Sequence, residues 1–244
     1  MTQTTRILAI GSLLVAATLP SAARAAPGLA EAVYGANVYK GEVEAEIRFG
    51  QLTGGRDAGE QGLTLELGFT PTSRLRIEAL AEFGRDAGGS RKLESAGIEA
   101  IYHLGRVGGV DVAVYGEYSI GSGHPDKAET KLLLERNTRS FDARLNLIAE
   151  KPLASGERVE LAYAASFDVP AAKNLRVGVT AFGELGTFRN FAPREEHYAG
   201  PIIKTVFDHL GGHTLKIEAG YLFALGEARE NARGQARLLA ELEF

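Results

Sequence analysis

The sequence predicts an all-β fold, a 12-stranded antiparallel up-and-down transmembrane β-barrel. Three observations carry that prediction. From about residue 41 the hydrophobic period is two, as in "GEVEAEIRFG", where Val43, Ala45, Ile47 and Phe49 share one face and Glu42, Glu44, Glu46 and Arg48 the other. The connections between such segments alternate along the chain between short turns and longer loops. Aromatic side chains fall in the apolar register near the strand ends, where the girdles of a membrane barrel belong.

Residues 1–25 read as a cleaved signal peptide. Arg6 supplies a positive start, "ILAIGSLLVAATL" an apolar core shorter than the roughly 20 residues of a spanning helix, and Ala23-Arg24-Ala25 a small-x-small cleavage site. Export with no cysteine removes disulfides as a source of stability. Residues 26–40 are expected to form a periplasmic N-terminal lead-in, and 41–244 the barrel.

Twelve alternating segments follow, from "GEVEAEIRFG" to "QARLLAELEF". The connections "TPTSR", "GRVGG", "NTRS", "DVPAAK" and "DHLGGH" are tight and rich in turn formers. The intervening ones, such as "QLTGGRDAGEQ" and "GTFRNFAPREEH", are mostly longer. Short turns then lie at the periplasmic end and both termini on that side. In the tenth segment, "YAGPIIKTVF", the register that turns Lys204 inward and Ile203 and Phe207 outward avoids roughly 2–4 kcal/mol for a lysine in lipid. Pro201, which lacks a donor, predicts a bulge or local break.

The last segment, "RLLAELEF", alternates apolar residues and stops on Phe244. It resembles the C-terminal assembly signal of Gram-negative outer-membrane β-barrels, which implies an outer-membrane location, a lipid-facing exterior, and recognition of Leu242 and Phe244 by the barrel assembly machinery. The two ends of the chain also resemble proteobacterial proteins described as outer-membrane transporters.

The inward face is acid-rich. Closing the barrel brings the first strand beside the last, so Glu42, Glu44 and Glu46 are expected near Glu241 and Glu243. Like charges across strands destabilise a sheet unless compensated. Arg48, Arg76, Lys204, Lys216 and Arg237 are the inward bases available as partners. Leu80, Ile101, Leu133, Ile148, Phe182 and Leu222 also point inward, as a plug or a greasy lining. A barrel of twelve strands is intermediate between filled and water-filled ones.

The expected function is a passive channel or transporter for small solutes, monomeric, with an acidic, cation-favouring lumen. The alternatives are a membrane-embedded enzyme acting on lipid or lipopolysaccharide, and a closed structural or adhesive barrel. A formal net charge of -4 offers no footprint for nucleic acid. Only His103 lies well inside a strand, with Ser95 and Ser119 on flanking strands as conceivable partners. The sequence carries no phosphate loop, zinc-helix motif or cofactor signature. "SGHPD", "HLGGH" and "REEH" read as loop and turn polarity, with no metal-ligand spacing.

Overall fold

A computed structural model describes residues 26–244; the expected signal peptide lies outside the described residues. Twelve long strands form one closed antiparallel barrel: β1 (Val43–Thr53), β2 (Gln61–Phe69), β3 (Leu75–Arg85), β4 (Lys92–Val107), β5 (Val110–Gly121), β6 (Lys127–Asn137), β7 (Asp142–Pro152), β8 (Glu160–Ala172), β9 (Leu175–Thr187), β10 (Glu196–Leu210), β11 (His213–Gly226) and β12 (Gly234–Glu243). Each pairs with its sequence neighbours, and β12 closes onto β1. A two-residue strand, Asn190–Phe191, folds back on β9 in the loop before β10. One helical turn, α1 (Ala228–Asn231), lies between β11 and β12.

Alternation decides the two faces. Ile47, Leu65, Leu67, Ile98, Val114, Leu132, Leu147, Val179 and Ile203 are exposed on the outside, while Glu44, Arg48, Glu66, Glu78, Glu99, Glu129 and Lys131 are buried inside. So continuous an exposed apolar belt is the reverse of a water-soluble barrel. Phe69, Phe207, Phe223 and Phe244 are exposed near strand ends. Phe141 and Phe167 stack at 5.8 Å between ring centroids.

Several strands run further into the expected turns than the alternation implied. β4 continues to Val107 and leaves Gly108-Gly109 as a two-residue turn, with φ of 60° and 85°. Positive φ at both positions suits the right-handed twist of a tight hairpin, and glycine takes it without strain. At Pro201 the ladder to β11 is interrupted, with no pair at Gly200 or Pro201, but the register is the same on either side. The break is present; the bulge of that hairpin lies instead between Phe207 and Leu210. Lys204 points inward, on Asp168 and Glu218, and Ile203 and Phe207 point outward.

The largest departure concerns residues 26–40. They do not form a lead-in outside the barrel: residues 26–38 thread through it as a strap, a turn over 27–30 followed by an extended stretch from Glu31. The strap starts among the long loops, beside Gln235 at the head of β12, and leaves at the short-turn end, where Gly41 N donates to Thr70 O at 2.8 Å. Its alternation is apolar towards the wall: Ala32, Tyr34, Ala36 and Val38 pack with Ile101, Ala113, Tyr115 and Leu133. Ala26 and Leu29 join Leu52, Ile148, Phe182 and Leu222 in a second cluster. The inward apolar residues of the barrel are thus a seat for the strap.

Candidate functional site: the lumen

A buried extended chain must satisfy its backbone polar groups. Barrel side chains do so along the strap. Gln235 Nε2 donates to Pro27 O at 2.9 Å, Thr64 Oγ1 to Ala30 O at 3.1 Å, and Arg237 to Glu31 O. Asn146 makes a two-way pair with Tyr34, accepting from its N at 2.8 Å and donating to its O at 3.0 Å. Lower down, Ala36 N donates to Glu135 Oε2 at 2.8 Å, and His103 Nδ1 lies 2.8 Å from Ala36 O. Two inward glycines make the groove. A Cβ at Gly50 would stand 2.7 Å from Leu29 Cδ1 and 2.9 Å from Ala30 N, and one at Gly62 3.0 Å from Ala30 Cβ.

At the short-turn end the seam pairs Glu44 with Glu243 and Glu46 with Glu241. Lys216 Nζ sits 2.9 Å from Glu241 and also bonds Glu243. Arg76 bridges Glu44 and Glu78, the latter at 2.8 Å. Arg48 bonds Glu66, lies 3.3 Å from Glu46, and donates to the Tyr34 hydroxyl at 2.9 Å. Glu42 lies at the margin of the seam, its backbone O accepting from Thr70 N at 2.9 Å. Two of the expected basic partners serve other groups. Lys204 neutralises Asp168 and Glu218, and Arg237 is turned up the barrel, its guanidinium 4.3 Å over the Phe182 ring. Leu242 pairs with Ala45 and Leu215, and Phe244 caps the edge, its N donating to Val43 O at 2.9 Å.

The seam is the lower end of a longer feature. Following one rung of the ladder from strand to strand gives Glu243, Glu44, Gly68, Glu78, Glu99, Glu117, Glu129, Glu150 and Glu160. The rung holds a glutamate on every strand from β12 through β8 except β2, where Gly68 stands. Strands in a barrel tilt, so a line perpendicular to them climbs as it goes round. This one climbs from the short-turn end to Glu160, the first residue of β8 after a long loop. Its upper part is compensated by Lys131, 2.9 Å from Glu129 and 4.6 Å over the Tyr34 ring, and by Lys127, 3.5 Å from Glu150 and 3.9 Å from Glu117.

Above the strap's midpoint the lumen widens into a vestibule of about 450 Å³ that opens among the long loops. Glu60, Glu82, Glu94, Glu129, Glu150 and Glu160 contribute to its wall, against Arg85 and Lys127, and Leu29, Ile148, Ala162 and Phe182 form an apolar strip. Below it lies a space of only about 30 Å³ around Glu31, Glu129 and Lys131, and the Tyr34, Tyr115 and Arg48 side chains fill the level beneath. At the rim, burial pushes the Glu60 carboxyl up to about 7, reinforced by Asp57, Asp86, Glu94 and Glu196.

The serine and histidine of the enzymatic alternative are not brought together. Ser119 stands opposite Gly97 and His103 opposite Ala113, six residues apart on β4 or about 20 Å. His103 is engaged with the strap, and Ser95, which lies on β4 with His103 rather than on a flanking strand, donates to Glu82. Sequence reasoning missed Tyr34, Tyr115, Glu129 and Asn146. Glu129, Tyr115 and Asn146 carry the correct parity for the inward face, and "LAEAVYGANV" alternates as a strand does, so the signal was present.

No family model matches this chain, and no curated protein matches it. Among solved structures the barrel is similar to the NanC porin, with TM-score 0.54 and 9% identity over 82% of this chain and 98% of that one. It is similar also to the KdgM porin, with TM-score 0.53 and 13% identity over 83% of this chain and 98% of that one. A second KdgM structure, described as a complex with disordered oligogalacturonate, gives TM-score 0.53 at 10% identity. At such identities the likeness is one of fold: a closed 12-stranded antiparallel β-barrel.

Proposed function

We propose that this protein is a monomeric outer-membrane channel of a Gram-negative bacterium, passive and cation-favouring, whose lumen is closed by its own N-terminal strap. The observation that carries the reading is the glutamate rung, which runs without a change of sign from the seam to the vestibule. The apolar exterior and the porin-like fold support the membrane setting. Leu242 and Phe244, on the outward register of β12, are the residues offered to the barrel assembly machinery, and lipid is the partner of the exposed belt. Oligogalacturonate, the ligand of KdgM, is a polycarboxylate of the same sign as the rung, so that ligand class is not carried over.

The test is conductance in planar bilayers. Wild-type protein should conduct weakly, and a variant lacking residues 26–38 should conduct several-fold more, with a reversal potential under a salt gradient on the cation-selective side. Barrels sealed in both forms, or anion selectivity in the shortened one, would overturn the reading.

A further inference from the structure

The upper part of the rung has a chemistry of its own. Glu129 faces Glu150, and Glu150 faces Glu160, on three successive strands. Neighbouring strands stand about 4.8 Å apart, so the backbone positions that bear these carboxylates are evenly spaced along the vestibule wall. Directly opposed like charges are unfavourable in a sheet. Lys131 is occupied beneath with Glu129 and two aromatic rings, and Lys127 is shared among carboxylates. A second, independent group faces the same space. Ser119 is 1% exposed and lines the vestibule, yet among the described residues its hydroxyl has no hydrogen-bond partner. A buried hydroxyl without a partner is costly in a finished structure and useful in a binding site. Beside these carboxylates runs the strip of Leu29, Ile148, Ala162 and Phe182.

We infer that the vestibule binds a linear organic polycation, an aliphatic polyamine whose protonated nitrogens lie along Glu129, Glu150 and Glu160, whose methylenes cover the apolar strip, and whose N–H reaches Ser119 Oγ. Carboxylates on evenly spaced backbone positions beside apolar surface suit a chain of alternating ammonium and methylene groups better than a compact inorganic ion, which would take one carboxylate pair and leave the strip wet. The inference rests on the cation-favouring reading of the lumen and gives it a ligand class.

The test is calorimetric titration of spermidine into the full chain in detergent, with magnesium at matched ionic strength as the comparison. Wild type should bind spermidine more tightly than magnesium. The double variant Glu150→Gln, Glu160→Gln should weaken spermidine at least tenfold, and Ser119→Ala to a smaller extent. The double variant Glu241→Gln, Glu243→Gln, at the far end of the rung, should leave it unchanged. Strand content by circular dichroism verifies folding of each variant. Equal affinity for magnesium, or an unaltered response in the vestibule double variant, would overturn the inference. Conductance without spermidine binding would sink the ligand and spare the channel; spermidine binding by a barrel that never conducts would sink the channel and spare the ligand.

Discussion

The two ends of one glutamate rung are built from the same residue and neutralised in different ways. At the short-turn end Glu44, Glu46, Glu66 and Glu78 are closed in with Arg48 and Arg76, and the strap's Tyr34 completes the packing. At the long-loop end Glu150 and Glu160 border an open vestibule, and Lys127 lies 3.5 Å from Glu150. Charges removed from water need fixed partners, because desolvation costs several kcal/mol per ion. Charges that line a cavity keep part of their hydration and depend less on each fixed partner. The difference separates the filled part of the lumen from the part that keeps open space.

The strongest way to break this comparison is to remove one cation from each end. Arg48→Met should cost about 3–5 kcal/mol in denaturant unfolding, since it strands Glu46 and Glu66 in a filled interior. Adding Glu66→Gln should recover part of that loss. Lys127→Met should cost less than Arg48→Met, because Lys127 and Glu150 keep 24 % and 25 % of their side-chain surface exposed. Equal losses would mean that the vestibule is as closed as the seam.

Next in size is the groove under the strap. Gly50→Leu places a side chain where Leu29 and Ala30 lie, and overpacking of this kind costs about 1–3 kcal/mol. Because the barrel wall itself is hydrogen-bonded all round, the strap rather than β1 should yield. The readout is raised conductance with unchanged strand content.

Glu150→Gln should move stability the other way, by roughly 0.2–1 kcal/mol in favour of the folded barrel, since it relieves opposition to Glu129 and Glu160. The last effect, at Glu60, is read against pH. Its folded pKa, about 7, lies above the ordinary 4.5. Between those values the unfolded chain has lost a proton that the folded one keeps, so stability falls as pH rises through this window and the full penalty is present above it. Glu60→Gln should remove that slope, which thermal midpoints between pH 5 and 8 would reveal.

Much of the barrel is legible in the sequence. The parity of "GEVEAEIRFG" fixed which face of β1 is charged, and the positions of Glu44 and Glu243 near the two chain ends were enough to bring them opposite one another. Lys204 turns inward because the other register would set it in lipid. Arg237 faces inward too, but parity says no more than that; whether it turns down to the seam or up to Glu31 depends on what else occupies the lumen. The strap was missed for a related reason. Its alternation has the strand period, but Tyr34 and Ala36 make their backbone bonds to side chains of distant strands instead of joining the ladder.

The sequence by itself determined the strand number, the sidedness of every strand and the closing pair, because these follow from a two-residue period and from which segments are chain neighbours. Only the tertiary structure decided that residues 26–38 fill the lumen and that glutamates on successive strands share a single rung. Both depend on registers set by many turns and on the tilt of the closed barrel, quantities that no local stretch of sequence contains.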